Sequence, residues 1–195
     1  QAIVVDLVRE GFHAAVRQGI GPWAGLESER LFEQPSFIVV GSPSAARRLV
    51  GAQPEALARE PLLGDNDVWK DWFAAAGLRV NVRTVAVFND AGLMLQAAEQ
   101  SLGLALAREI HAADALIDGR LVRLSPITVT HEEAQPYHLV YPPALRDWPP
   151  LDAFRRWLRD ELDQSMAALH RSEATRGMKP RAPARKRRAA ASREP

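Results

Sequence analysis

The chain has no cysteine. Disulfides, thiolate nucleophiles and cysteine-based metal sites are excluded together, and the absence fits a reducing compartment such as the cytoplasm. No uncharged apolar run reaches the roughly 18 residues a membrane-spanning helix needs, so no membrane partner is expected. The first residues, Gln1-Ala2-Ile3-Val4-Val5-Asp6, carry no basic stretch, no long apolar core and no cleavage site, so export is not expected. They also lack an initiating Met and open directly on a strand-like run, which reads as a truncated chain.

What is present is enough to fold. The 195 residues are 47% hydrophobic, sufficient for one domain or two small lobes. The formal net charge of +1 hides a division. Residues 171–195 hold nine Lys/Arg against two Asp/Glu, leaving 16 basic and 22 acidic side chains in residues 1–170. An acidic body therefore carries a basic tail. That tail has no aromatic residue to stack on a base and no periodicity, so it reads as disordered and solvated.

The centre of the chain is VAVFNDAGLMLQAAEQSLGLALARE, residues 85–109. Val85-Ala86-Val87-Phe88 predicts a short strand, Asn89-Asp90 a helix N-cap, Ala91 to Leu102 a helix, Gly103 its stop, and Leu104 to Ala107 a second strand. Such a βαβ unit turns a helix N-terminus, with its unpaired N–H groups, toward the carboxyl edge of a sheet.

Upstream, Phe12 to Val16 predicts a strand ending at Arg17-Gln18, Gly19 to Gly25 a loop, Leu26 to Phe32 a half-exposed strand, and Phe37-Ile38-Val39-Val40 a buried one. Ser44 to Val50 and the residues after Pro54 predict short helices. Pro61 to Gly64 predicts a strand, and Asp65-Asn66-Asp67 the cap of a helix from Val68 to Ala76 with Trp69, Trp72 and Phe73 on one face. Downstream, Ile110 to Leu116 predicts a helix, Leu121 to Leu124 and Tyr137 to Tyr141 strands, and Leu151 to about His170 a final helix. This alternation argues for α/β architecture with largely parallel sheets and right-handed crossovers.

Candidate chemistry is sparse. Gly19-Ile20-Gly21-Pro22-Trp23-Ala24 matches a dinucleotide fingerprint in letters, but Pro22 and Trp23 stand where the backbone must approach a pyrophosphate, and no helix follows. Asp65-Asn66-Asp67 fits a helix cap better than a cation loop, because the Gly and distal Glu of a calcium loop are missing. His131-Glu132-Glu133 lacks the second His of a zinc-protease helix, since position 135 is Gln. Ser42 lies in Gly-Ser-Pro rather than a nucleophile elbow. No catalytic residues, cofactor or metal are therefore expected, and no enzyme activity. The remaining candidate is a small-anion clamp. It pairs Arg17, at a strand end, with the helix opening at Asn89-Asp90, because Arg grips carboxylates bidentately.

Several segments, in order, carry a family resemblance: VDLVREGFHAAVRQGIGPWAGLESERLF, FIVVGSP, WKDWFAAAGL, VFNDAGLMLQAAEQSLGLALARE, DGRLVRL, YHLVYPP and FRRWLRDEL. Together, over about residues 3–163, they resemble the effector-binding (substrate-binding) domain of a LysR-type transcriptional regulator, nearest the glycine-cleavage-activator subgroup. The resemblance implies a two-lobed α/β domain of the periplasmic-binding-protein-like type 2 class, with the first lobe incomplete. It implies residues 1–40 as part of the first subdomain, 41–137 as the second, 138–168 as the return to the first, and 169–195 as a disordered basic tail. Crossover strands would be Phe37–Ser42 and Tyr137–Tyr141. A small-molecule effector would sit between the lobes against Arg17, Phe88, Asn89 and Asp90. The family's helix-turn-helix is absent from this chain, so DNA would be reached only through that missing domain. Pairing into a homo-oligomer and a cytoplasmic location are also implied. The competing expectation is a periplasmic-type solute-binding protein.

Overall fold

Two sheets organise the protein, and their hydrophobic patterning explains both. The structure, a computed structural model, describes residues 6–32, 36–49, 52–131 and 134–177. The larger sheet has the order β4-β5-β3-β6, from Leu62–Leu63, Leu104–Arg108, Ser36–Gly41 and Val122–Thr130. Its central strands are buried on both faces, as their unbroken apolar runs require. Alternate residues serve opposite cores. Phe37, Val39, Leu104 and Leu106 join the core with Trp69, Trp72 and Phe73. Ile38, Val40, Ala105 and Ala107 join the other. Small Ala side chains on that second face let two helices lie close.

The first core is roofed by α1 (Pro43–Leu49), α2 (Pro54–Leu57) and α3 (Asn66–Ala75). Asp65 caps α3 by accepting from the Asp67 amide at 2.7 Å. The ring of Trp69 donates to the Leu63 carbonyl at 2.8 Å, which locks α3 to β4. The second core is roofed by α4 (Ala91–Glu99), α5 (Glu109–Ile117) and the end of α6 (Pro149–Thr175), through Met166 and Leu169.

The smaller sheet has the order β1-β7-β2, from Ala15–Gln18, Tyr137–Tyr141 and Glu27–Arg30. Leu139 and Tyr141 pack on Leu151 of α6. The Tyr141 hydroxyl donates to Glu29 at 2.6 Å; burial and that carboxylate push its pKa up to about 12. Glu29 is also held by Arg155 and Arg159 of α6.

Several expectations change. The strand pairs are mostly antiparallel: β1 and β2 with β7, and β3 with β5 and β6. Among the described strands, β4 and β5 are the pair that runs parallel. Val85 to Phe88 is not a strand but one parallel bridge, Ala86 to Leu63, because Val85 and Val87 are exposed and, among the described residues, have no second strand to pair with. Helix α4 stops at Glu99, where Ser101 takes a positive φ of 65°. Gly103 is needed for packing instead, since a Cβ there would lie 2.6 Å from the Pro61 carbonyl oxygen. Strand β1 starts three residues later than predicted, and β6 runs on to Thr130. Strand β3, expected at a crossover, lies wholly in the larger sheet, and β7 wholly in the smaller.

The last helix also differs. It continues to Thr175, so residues 169–175 are helical rather than tail, and the tail expected at 178–195 lies outside the described residues. Glu173 explains the extension. It is buried against Arg123, whose guanidinium, 2% exposed, bonds Glu109 at 2.9 Å and Glu173 at 3.1 Å. Arg123 also donates to Thr128 at 2.6 Å, and Ser36 donates to Glu109 at 2.9 Å. Helix α6 thus starts on the smaller sheet and ends locked to the larger lobe.

Two outcomes follow from this packing. Trp72→Ala empties a fully buried site and is expected to cost about 3–5 kcal/mol in urea unfolding; a cost near zero would mean the aromatic cluster does not hold the lobe. A chain ending at residue 170 is expected to melt well below one ending at 177, because Arg123 loses a buried carboxylate. Equal melting temperatures would show that the Glu173 contact carries no stability.

Candidate functional site

Strand β5 carries an apolar run, Leu104 to Ala107, and then a guanidinium. Arg108 is 9% exposed, yet among the described residues it has no carboxylate partner. Among the described residues, one of its five N–H donors is used, donating to the Gln135 carbonyl at 3.0 Å. Its cation lies over two rings, 5.5 Å from the centroid of Phe37 and 4.9 Å from that of Tyr137. Phe37 belongs to the larger sheet and Tyr137 to the smaller, so Arg108 sits at the junction of the lobes. Burial lowers its pKa, but from 12.5, so it stays charged near neutrality.

Arg108 faces a cavity of about 370 Å³, a volume suited to a small metabolite. The smaller lobe contributes Gln18 and Tyr137. The larger contributes the start of α3, the N-terminus of α4 and His111. Apolar wall comes from Phe37, Val68, Met94 and Leu106.

Of the residues singled out from sequence, Phe88, Asn89 and Asp90 line this cavity together. Arg17 does not. It is paired in register with His138, while its neighbour Gln18 lines the cavity; successive strand residues face opposite sides. The helix opening also differs from a bare cluster of amides. Asp90 caps α4 itself, accepting from the Leu93 amide at 2.8 Å. It brings a negative charge to the rim.

Arg108, His111 and Tyr137 were not among the candidates, and His131 was weighed only as part of a metal cluster. A signal for Arg108 existed: a lone charge closing a fully apolar strand, at the C-terminal end of a strand paired in parallel with its neighbour, where α/β sheets gather ligands. His131 is fixed by Asp71, 2.8 Å from its Nδ1. The half-buried His111 ring has its pKa lowered from 6.5, first by desolvation and then by the Arg108 charge, with Asp90 opposing. Among the described residues no group of three or more His, Asp or Glu is arranged to hold a metal ion. No helix among them is long and apolar enough to cross a membrane.

A two-sheet α/β body with a polar cavity at its junction is the geometry of a ligand-binding domain, and comparison with known families gives it a place. The LysR substrate binding domain matches residues 2–163. The chain belongs to that family. The transcriptional activator AmpR of Citrobacter koseri is 34% identical over 163 residues, 80% of this chain and 53% of that protein. The glycine cleavage system transcriptional activator of Escherichia coli K12 is 29% identical over 160 residues, 78% of this chain and 50% of that protein. The chain thus spans about half the length of these relatives. Among solved structures, the effector domain of AmpR from Pseudomonas aeruginosa superposes with a TM-score of 0.66 at 32% identity, covering 87% of this chain and 80% of that one. The fold is therefore the two-lobed, periplasmic-binding-protein-like domain of LysR proteins, and the relatives named here are regulators rather than enzymes.

The environment of His111 sets a pH dependence. A His whose pKa is lower folded than unfolded gains its proton first in the unfolded chain, so stability is full above the ordinary pKa and falls as pH drops through about 6.5. Urea unfolding between about pH 7 and pH 5 is expected to show a smaller loss in His111→Gln than in the parent chain. Equal losses would mean that His111 is hydrated.

Proposed function

We propose that this domain is the sensor of a LysR-type transcriptional regulator and that it binds a small polar, anionic metabolite between its lobes. The single observation that carries the reading is Arg108: a nearly buried cation with unused donors, no acidic partner among the described residues, and an adjoining cavity. Burying such donors unmet is costly, whereas a carboxylate or phosphate oxygen meets them bidentately. Asn89 and Asp90 then engage the polar remainder of the ligand, and Phe88 closes the site beside them. Because the cavity has a wall from each lobe, a ligand that touches both favours one interlobe angle over another. This shift is the signal that the sensor passes on to DNA binding. Pairing of sensor domains and action in the cytoplasm belong to the same proposal. The names of the relatives favour it over a solute-binding protein for transport, which shares the cleft but not the regulatory partner.

Thermal-shift screening with amino acids, dicarboxylates and neutral sugars is expected to find an anionic stabiliser. Its affinity by calorimetry is expected to fall at least about tenfold in Arg108→Met, as for loss of a charge-assisted hydrogen bond. Arg17→Ala is expected to have the smaller effect. An anionic ligand bound equally by Arg108→Met would remove Arg108 from the site, and a larger loss with Arg17→Ala would return the clamp to the strand end.

A further inference from the structure

A second cavity, about 490 Å³, opens on the face of the larger lobe covered by α2 and α3. It is a crevice between α2 and the extended segment 78–83. Its floor is apolar, made by Leu62, Phe73 and Val82, which are all nearly buried. Its rim is cationic. Arg59 and Arg83 stand there exposed, and among the described residues neither is in an ion pair; a single acidic side chain, Glu55, opposes them. The backbone along one side is open as well. The Leu78 amide donates to Phe73 and the Thr84 amide to Asn66, but between them, among the described residues, the amides of 79–83 have no acceptor.

We propose that this crevice is a ligand site distinct from the interlobe cleft, for a small amphipathic carboxylate. An apolar body lies on Leu62 and Phe73, where desolvation favours it. The carboxylate takes Arg59 and Arg83, whose two charges exceed that of Glu55, with the free amides of the extended segment as further donors. A neutral ligand of the same shape leaves both guanidiniums unmatched, so the charge sets the class. The site backs directly on to the cleft. Leu62 of β4 and Phe73 of α3 line the crevice, while Gly64 just after β4 and Val68 of α3 line the cleft. The pair of elements locked by the Trp69 bond to Leu63 is thus a wall between the two cavities.

The test is a chemical-shift titration of the chain with phenylbutyrate and, separately, with phenylbutanol as the neutral counterpart. Saturable shifts are expected at the amides of 78–83 with phenylbutyrate, and weaker binding with the alcohol. The double variant Arg59→Ala/Arg83→Ala, altered only at exposed positions, is expected to lose about tenfold or more in phenylbutyrate affinity. Arg108→Met is expected to leave these shifts unchanged, which separates this site from the cleft. No saturable shift at 78–83, equal affinity for the alcohol, or full affinity in the double variant would overturn the proposal.

Discussion

The guanidinium of Arg108, held between a ring from each lobe, is the constraint on which the site depends. A cation over aromatic faces gains about 0.5–2 kcal/mol when largely desolvated. That is less than the cost of burying the charge without a counter-ion. The rings and the Gln135 carbonyl fix the position of the group, but they leave most of its hydrogen-bonding capacity unused. The fold therefore holds a positioned charge at the junction of the lobes and an open cavity beside it.

The rest of the architecture holds that charge still. Strand β5 is buried along its whole length, and β3 and β4 flank it. The next residue, Glu109, faces into the protein, where Arg123 and Ser36 fix it, and the same Arg123 holds Glu173 of α6. Two neighbouring charges thus serve opposite purposes. Glu109 is consumed in a buried network that ties α6 to the larger lobe, and Arg108 is left for the cavity. Replacing such a network by apolar groups is often neutral in stability, so its value here lies in placing α5 and α6 uniquely. With its first half on the smaller sheet and its last turns on the larger lobe, α6 limits how far the lobes can separate.

Much of this was legible in sequence, and the failures share a cause. Runs with strong periodicity were read correctly: the buried strand at 37–40, the aromatic face of α3 with its Asp65 cap, the strand at 137–141. The family itself was carried by the order of its segments. Pairing direction was not legible, because an apolar run buried on both faces looks the same in parallel and antiparallel sheets. Val85 to Phe88 has strand composition but no partner on its outer side, and composition does not count partners. The end of α6 was misplaced because Glu173 sits in a polar, basic stretch; its anchors are tertiary, the buried Arg123 fifty residues earlier and the α5 carbonyls that accept from Arg176. At the site, Asn89 and Asp90 were singled out through capping chemistry, which is local, and Phe88 through the family resemblance. Arg108 and His111 come together with Tyr137 only through tertiary contact.

The claim at the centre is that an anion meets Arg108 between the lobes. Anomalous diffraction from crystals soaked in bromide tests it directly, because bromide reports positive, hydrogen-bond-donating sites without a known ligand. The account predicts a bromide peak in the interlobe cavity within hydrogen-bond reach of the Arg108 guanidinium. Bromide found elsewhere on the molecule but absent from that cavity would contradict it.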